Sequence, residues 1–504
     1  FGALGACAGA DQETPEIEIE TPPPPVDTEA AGYKASAIPD GTTQLEQLAS
    51  GETTSLALTE AAIARARAAN PLINAVATET YDAALETAAD PSDGAFGGVP
   101  TFIKDLLDWK GTPTLYGSRA FRGYIAPEDA EFAKAWRRAG VISLGKSTSP
   151  EMGLISSTEP LVTGATRNPH DLGRIPGGSS GGAAALVAAR VVPFAHASDG
   201  GGSIRIPAAC CGLFGLKPSR GALPMSRDSG PVNISVNHAV TLTVRDSAAL
   251  FAAAEADLES DLAKTGNVTE AATRRLKIAY APTPPTDATL DAETLAGLDR
   301  TAELCRTLGH EVIDYTMPID GERFLDAFLL YWAAGAAGFA QQASTFSGKP
   351  VGPDILEPWT LGLAAEFLGR QGDMPDAIAY LQAFEAEYHA LFDDFDLLLT
   401  PTVSTVPPKI GEQAPDGDYA TVRANVLNFA AFTAPMNVSG AASMSVPIQW
   451  SADGLPIGIH HGSLALEQRK KVEAAMVAGQ LRAVVCTGSL DLGLDWGDVD
   501  LVVQ

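Results

Sequence analysis

The sequence contains few basic residues for its length. Its 504 residues include 34 Lys and Arg against 62 Asp and Glu, which gives a formal net charge of −28. Nucleic acids and anionic membranes are bound through clustered Lys and Arg, so this balance argues against either as a partner. The excess of negative charge mainly favours solubility.

Metal-binding patterns are also missing. The 7 histidines and 5 cysteines show no metal-ligand spacing, and no His-Glu-x-x-His pattern occurs. Cys210 and Cys211 stand in an apolar run, which is typical of buried core thiols. No segment of the chain's body is long and apolar enough to span a bilayer. We therefore predict no metal and no other cofactor.

Glycine is plentiful, and it clusters around two serines. The segment RIPGGSSGGAAA surrounds Ser179 and ASDGGGSIRIPA surrounds Ser203, while Lys104 lies upstream in GVPTFIKD. A packed core does not need this many glycines around two hydroxyls, so the backbone is predicted to approach something small and polar. The pattern indicates a serine hydrolase that uses lysine as its base.

The chemistry of these three residues supports the same interpretation. A serine hydroxyl is a weak nucleophile until a base takes its proton, and a lysine can be that base only when neutral. Lowering a lysine pKa from about 10.4 to about 7 costs roughly 5 kcal/mol, which burial away from carboxylates can supply. Lys104 would then deprotonate Ser179, and Ser179 would relay the proton of Ser203. Asp105 must therefore point away from Lys104.

The motif string from GGSSGG to DGGGSIRIPAACCGLFGLKPSRG resembles that of the amidase signature family. The resemblance implies Ser203 as nucleophile, Ser179 as bridging serine and Lys104 as base. It also implies a cis peptide bond before Ser179. The amides expected to bind the developing oxyanion are those of Gly200, Gly201, Gly202 and Ser203. Many members have a larger residue where this chain has Gly200.

The implied fold is a single α/β domain over residues 36–460, in which helices flank a large, mixed, twisted β-sheet and the site lies at loop ends. Apolar periodicity predicts helices at residues 55–70 and 183–190 and strands at 141–144, 276–280, 397–399 and 456–460. Two further helical stretches, 321–342 and 375–392, carry many aromatic residues.

Those aromatic helices have two interpretations. Aromatic residues at helical spacing are usually core residues, yet inserted helices in this family tend to cover the acyl-binding channel. The other candidate for the channel is the segment 152–156. The predicted pocket residues are Met152, Ile155, Ser156, Phe328, Tyr331 and Trp332.

Two short motifs compete with this assignment. Residues 140–147, GVISLGKS, match a phosphate-binding loop, but the motif's apolar interior is strand-like. Residues 177–181, GGSSG, match a nucleophile elbow, which would require a catalytic histidine such as His310 or His389. We regard both matches as accidental, and replacement of the two histidines would test the second.

The two ends differ from the body. Residues 1–35 contain a lipobox-like LGAC at Cys7 and an acidic, proline-rich linker, so we expect a periplasmic or membrane-anchored lipoprotein. The alternatives are a ragged terminus in which Cys7 has no role, and a cytoplasmic protein.

Residues 461–504 resemble a fragment of a DEXH-type helicase, joined as a chimeric tail without helicase activity. Residues 464–481 can still form an amphipathic helix.

The expected substrate is a small neutral amide, linear or cyclic, and carbamates and esters share the same tetrahedral chemistry. The motif string is most similar to bacterial members that act on aminohexanoate amides and to relatives that cleave carbamates. Few charged residues lie near the motifs, which favours a neutral, partly apolar substrate. The alternatives are an amidotransferase subunit of a tRNA-dependent complex and a lipoprotein that binds amides without catalysis.

Overall fold

The β-strands form two sheets in the computed structural model, which describes residues 33–225, 230–260, 262–269 and 274–463. The larger sheet is eight-stranded and mixed, with order β4-β6-β5-β10-β11-β9-β7-β8, and the smaller has order β1-β3-β2. The strands are β1 Val76–Glu79, β2 Pro100–Lys104, β3 Ile142–Ser147, β4 Phe194–Asp199, β5 Phe214–Lys217, β6 Val236–Thr241, β7 Lys277–Tyr280, β8 Glu311–Asp314, β9 Leu397–Pro401, β10 Ser443–Trp450 and β11 Pro456–Ser463.

Helices flank these sheets. The prediction of a mixed α/β fold with a large sheet flanked by helices is confirmed. The α-helices are α1 Gly41–Ser50, α2 Ser55–Ile73, α3 Tyr81–Ala89, α4 Glu131–Ala139, α5 Gly181–Ala188, α6 Arg205–Cys211, α7 Val244–Glu255, α8 Ala292–Thr307, α9 Gly321–Ser347, α10 Pro358–Gly369, α11 Met374–Ala390, α12 Tyr419–Phe429 and α13 Ala434–Val438.

Several predicted elements are longer than their apolar pattern. The helix predicted at 321–342 continues to Ser347, where Gly348 ends it in a left-handed conformation with φ +68°. The strand predicted at 141–144 occupies Ile142–Ser147, because it pairs with both β1 and β2 and its Lys146 side chain is buried. Tertiary pairing therefore extends elements beyond the residues that signal them.

Two neighbouring strands bring the predicted site together. Thr101 Oγ1 of β2 donates to the Phe194 carbonyl of β4 at 2.9 Å, so the two strands pack side by side. The strand β2 ends at Lys104 and β4 ends at Asp199. The loop that follows β4 carries Ser203, so Lys104 and Ser203 lie at the same end of these two strands.

The ends of the chain are described only in part. Cys7 and residues 464–504 lie outside the described residues, so the predicted lipid anchor and amphipathic helix stay predictions. The strand β11 continues to Ser463, three residues beyond the predicted end of the amidase domain, and pairs with β9 and β10. Over the described residues, no helix is both long and apolar enough to cross a membrane.

Candidate active site

Lys104 lies at the centre of the candidate site, and its side chain has no exposed surface. Its Nζ atom lies 2.8 Å from Ser179 Oγ, 3.0 Å from Ser198 Oγ and 3.3 Å from the Ser198 carbonyl oxygen. Burial lowers the pKa of Lys104 to about 7, although the negative charge of Asp199 opposes this shift. A substantial fraction of the amine is therefore neutral near pH 7.

The strand β4 fixes the backbone of Lys104. The Lys104 amide donates to His196 Nδ1 at 3.3 Å, and His196 Nε2 lies 3.2 Å from Asn237 Oδ1. Burial, together with the nearby Lys104 charge, lowers the pKa of His196 to about 3. The imidazole is therefore neutral and accepts a hydrogen bond from the amide.

Asp105 points away from Lys104, as expected. Its carboxylate accepts from the Leu115 amide at 3.1 Å and lies 3.7 Å from Lys146 Nζ. Burial raises the pKa of Asp105 to about 6, while the charge of Lys146 opposes the rise. Because Asp105 is paired with Lys146, it does not hold Lys104 in its protonated form.

Ser179 lies in the loop before α5, packed against a second loop at residues 151–158. The peptide bond between Gly178 and Ser179 is cis, as the family resemblance implies. A β-carbon on Gly153 would lie 2.9 Å from Ser179 Oγ, and one on Gly178 would lie 2.3 Å from the Ser157 carbonyl oxygen. Glycine is needed at both positions because any side chain would displace the serine.

Ser203 lies in the loop between β4 and α6, and Asp199 holds this loop. The Asp199 carboxylate accepts from the amides of Gly202 at 2.8 Å and Ile204 at 3.1 Å, and it pairs with the Arg205 guanidinium at 2.9 Å. Burial alone would raise the pKa of Asp199, but the Arg205 charge holds it well below its usual range. Asp199 therefore stays ionised and organises the loop.

Lys104 contacts Ser179 in the structure, but the other hydrogen bond of the predicted proton relay, between Ser179 and Ser203, is not formed. Within the described residues, Ser203 Oγ makes no hydrogen bond, so none connects it with Ser179. The side chain of Ser203 is 8 % exposed and that of Ser179 only 2 % exposed. Of the two serines, Ser203 is thus the one that more readily meets a ligand.

The four predicted oxyanion amides are not equivalent. The Gly202 amide is already used by Asp199, which differs from the expectation that all four face a ligand. The amides of Gly200, Gly201 and Ser203 donate to no other residue in the described ranges. Three N–H groups on one short loop therefore stay available for a negatively charged oxygen.

Two of the predicted pocket residues contact this glycine loop. The six-membered ring of Trp332 lies 3.5 Å from where a β-carbon of Gly200 would be, and the Phe328 ring lies 3.4 Å from the corresponding point on Gly201. The indole of Trp332 is fixed by a 3.1 Å hydrogen bond to the Leu154 carbonyl. Both rings belong to α9, so this helix forms an apolar wall beside the loop.

The other four predicted pocket residues are not among the nearest neighbours of Gly200 and Gly201. Tyr331 donates to the Val232 carbonyl at 2.7 Å, and Ser156 donates to Gln413 Oε1 at 2.8 Å. Met152 packs with the aromatic cluster around Phe121, and Ile155 packs with Ala333, Ala336 and Trp359. Their contacts therefore join the segment 151–158 and α9 to neighbouring parts of the structure.

Ser198 and Thr433 are site residues that the sequence interpretation missed. Ser198 contacts Lys104 Nζ, and its position two residues after His196 puts both on one face of β4. Strand alternation within ASDGGGS could have identified it. Thr433 donates to the Gly201 carbonyl at 2.5 Å from 232 residues away along the chain, and no local motif marks it.

The competing motifs have structural explanations. Residues 142–147 form β3, and Lys146 is buried with its Nζ 2.7 Å from the Leu107 carbonyl, so no phosphate-binding loop exists there. His310 Nδ1 accepts from the Leu276 amide, and His389 Nε2 lies 3.0 Å from the Ser439 carbonyl. Neither histidine is bonded to Ser179. No cluster of three potential metal ligands occurs among the described residues.

Comparisons with known proteins identify a matching family and related sequences and structures. The Amidase family matches residues 57–467. The chain is 40% identical to "Putative amidase AmiC" of Mycobacterium leprae over 79% of this chain and 86% of the relative. It is 35% identical to a 6-aminohexanoate-cyclic-dimer hydrolase of a Pseudomonas species over 83% of this chain and 90% of the relative. A solved structure of 6-aminohexanoate cyclic dimer hydrolase superposes with a TM-score of 0.77 and 32% identity, over 88% of this chain and 97% of that one.

Proposed function

The chain belongs to the amidase signature family of amide hydrolases, and from that premise we propose that it cleaves C–N bonds through Lys104, Ser179 and Ser203. The observation that carries the proposal is the 2.8 Å contact between Ser179 Oγ and the buried Lys104 Nζ. Burial keeps that amine partly neutral near pH 7, so it can accept a proton.

Acylation begins with two proton transfers. Neutral Lys104 takes the proton of Ser179, and Ser179 takes that of Ser203 as Ser203 Oγ bonds to the substrate's carbonyl carbon. The carbonyl oxygen becomes negative and meets the amides of Gly200, Gly201 and Ser203. One such donor is worth about 3–4 kcal/mol of transition-state stabilisation. The second proton transfer requires Ser203 to turn toward Ser179 when substrate binds, since catalytic hydrogen bonds often form only in the substrate complex.

The relay then runs in reverse. The C–N bond breaks, the leaving nitrogen takes the proton held by Lys104 and Ser179, and the acyl group stays on Ser203 as an ester. Water attacks this ester and gives its proton to the same relay, and collapse of the intermediate releases the carboxylic acid. Ser203 regains its proton, so the cycle needs no cofactor.

The apolar wall next to the loop supports a neutral substrate. Trp332 and Phe328 present ring surfaces beside Gly200 and Gly201, and the one carboxylate on this loop, Asp199, is buried and paired with Arg205. Relatives include hydrolases named for a cyclic amide and a bacterial aryl acylamidase with a TM-score of 0.76. We therefore propose small neutral amides, linear or cyclic, with carbamates and esters as further substrates.

Matched substrates test the proposal. Purified wild-type protein should hydrolyse 4-nitroacetanilide and 4-nitrophenyl acetate, and the carbamate 4-nitrophenyl N-methylcarbamate should be a slower substrate. Ser203→Ala should lower kcat on the anilide by about 10³-fold or more, as removal of an activated nucleophile does. Wild-type protein that turns over none of the three compounds would contradict the proposed function.

A further inference from the structure

The peptide group between Gly201 and Gly202 is held at both of its polar ends. Thr433 Oγ1 donates to the Gly201 carbonyl oxygen at 2.5 Å, and the Gly202 N–H donates to Asp199 Oδ1 at 2.8 Å. Neither end can turn toward a ligand without losing its partner. The available amides on either side, those of Gly201 and Ser203, are consequently held in one orientation.

The hydroxyl of Thr433 is committed to this contact. Thr433 is the N-cap residue of α13, where a threonine side chain normally accepts a hydrogen bond from an amide in the first turn. It makes no such capping bond here, and the residue has no exposed surface. The hydroxyl therefore serves the glycine loop rather than its own helix.

Packing leaves little room for the peptide group to rotate. A β-carbon on Gly202 would lie 2.4 Å from Thr433 Oγ1, and Gly202 has a φ of +135° that favours glycine. The Thr433 carbonyl accepts from Arg205 at 3.0 Å, and Arg205 also pairs with Asp199. The two groups that hold the peptide are thus linked to each other.

We infer that Thr433 is a positioning residue for the oxyanion hole, through its hydrogen bond to the Gly201 carbonyl. Without that bond the carbonyl has no donor among the described residues, and the peptide group can rotate so that its oxygen approaches the negatively charged carbonyl oxygen of the substrate. Such a rotation disfavours the transition state more than it disfavours substrate binding. The inference rests on the proposed function, because it presupposes attack by Ser203 beside this loop.

Three variants at one position test the inference with 4-nitroacetanilide. Thr433→Val keeps the shape but removes the hydroxyl, Thr433→Ser keeps the hydroxyl, and Thr433→Ala removes both hydroxyl and methyl group. We expect Thr433→Val to lower kcat by about 10- to 100-fold, less than the loss of an oxyanion donor, with KM changed less than threefold. Thr433→Ser should retain kcat within about threefold of wild type.

A matched control comes from Thr402, which is also fully buried and donates to Ser445 Oγ at 3.2 Å, away from the glycine loop. Thr402→Val should leave kcat within about twofold of wild type. If Thr433→Val does not fold, the kcat ratio of Thr433→Ser to Thr433→Ala replaces it, and a ratio of about 10 or more supports the inference.

The possible results distinguish failure of the inference about Thr433 from failure of the proposed function. If wild-type protein hydrolyses the anilide and Thr433→Val keeps its kcat, or if Thr433→Ser is as slow as Thr433→Ala, the inference is overturned while the proposed function stands. If wild-type protein hydrolyses neither the anilide nor 4-nitrophenyl acetate, the proposed function itself fails and the inference fails with it.

Discussion

A β-carbon on Gly153 would lie 2.9 Å from Ser179 Oγ and 2.8 Å from a methyl group of Leu106, so the loop at residues 151–158 determines where this hydroxyl sits. Gly153 has a φ of +71°, which favours glycine. The loop itself is held by Leu154, whose carbonyl accepts from the indoles of Trp332 and Trp359. The position of the serine therefore depends on a glycine outside its own motif.

Replacing Gly153 should disable the site by displacing Ser179. We expect Gly153→Ala to lower kcat on 4-nitroacetanilide by about 100-fold, because misplacement of a reacting group by about 1 Å costs that much. Gly164→Ala is the matched control, since Gly164 has a similar φ of +84° but a β-carbon there would lie 3.5 Å from its nearest neighbour, Asn74. Both variants bear the cost of a positive φ, and only Gly153→Ala adds a clash with Ser179. Equal activity of the two variants would show that Gly153 does not position Ser179.

The adjacent serines 179 and 180 should differ sharply in their importance. Ser179 Oγ contacts Lys104 Nζ, whereas Ser180 Oγ lies 3.3 Å from the Ser198 carbonyl and does not contact the lysine. We expect Ser179→Ala to lower kcat about 10³-fold, as loss of a proton-transfer residue does, and Ser180→Ala to lower it less than about 10-fold. Steady-state kinetics on the anilide measures both, and the reverse order of effects would refute the assignment of the bridging serine.

Lys104 should make stability depend on pH. Its pKa is about 7 in the folded protein and close to 10.5 when unfolded, so between these values unfolding takes up a proton and the free energy of unfolding rises with pH. Lys104→Met has no amine at this position, so its free energy of unfolding lacks this pH dependence. The stability advantage of Lys104→Met over wild type should therefore shrink by about 2–3 kcal/mol between pH 7 and pH 9, at about 1.4 kcal/mol per pKa unit.

Urea unfolding of both proteins at several pH values provides the measurement. Wild type and Lys104→Met share every other titrating group, so the difference between their curves isolates the lysine. A difference that stays constant from pH 7 to pH 9 would mean that Lys104 is protonated throughout this range in the folded protein.

Trp332 should determine how well apolar substrates bind. Its ring lies beside Gly200, so we expect Trp332→Ala to raise KM for apolar anilides by about 10-fold, in line with the burial of a large aromatic surface. Trp359→Phe removes the other indole donor to Leu154 but leaves the ring beside Gly200 in place. KM for Trp359→Phe should stay within about threefold of wild type. A larger rise in KM for Trp359→Phe would mean that the hydrogen bonds to the Leu154 carbonyl, rather than the Trp332 ring surface, determine KM.

The sequence predicted the parts of the site that lie within continuous motifs. Lys104 and Ser179 were identified from the motifs GVPTFIKD and RIPGGSSGGAAA and are in contact, and Asp105 points away from Lys104 toward Lys146. The large mixed sheet was implied by the family resemblance, whereas the aromatic helix α9 was predicted from its own long apolar pattern. Local patterns of this kind reflect local backbone conformation and burial.

Contacts between distant segments could not be predicted in the same way. Thr433 meets Gly201 across 232 residues. The contact between the Gly202 amide and Asp199 spans only three residues, but it too escapes a sequence pattern because it depends on how the loop folds back on its own strand. Met152, a predicted pocket residue, packs with the cluster around Phe121, and its own backbone has a φ of +49°, which no sequence pattern signals. Side-chain direction in irregular segments is decided by packing, which a single sequence does not show.

The most direct test of the account is the rate at which a fluorophosphonate labels the protein as a function of pH, with the labelled residue identified by peptide mapping. The account predicts attachment to Ser203, with a rate that rises about tenfold per pH unit below an apparent pKa of about 7 and levels off above it, because the base must be neutral. Attachment to a different serine, or a rate that does not change between pH 5.5 and pH 8.5, would contradict it.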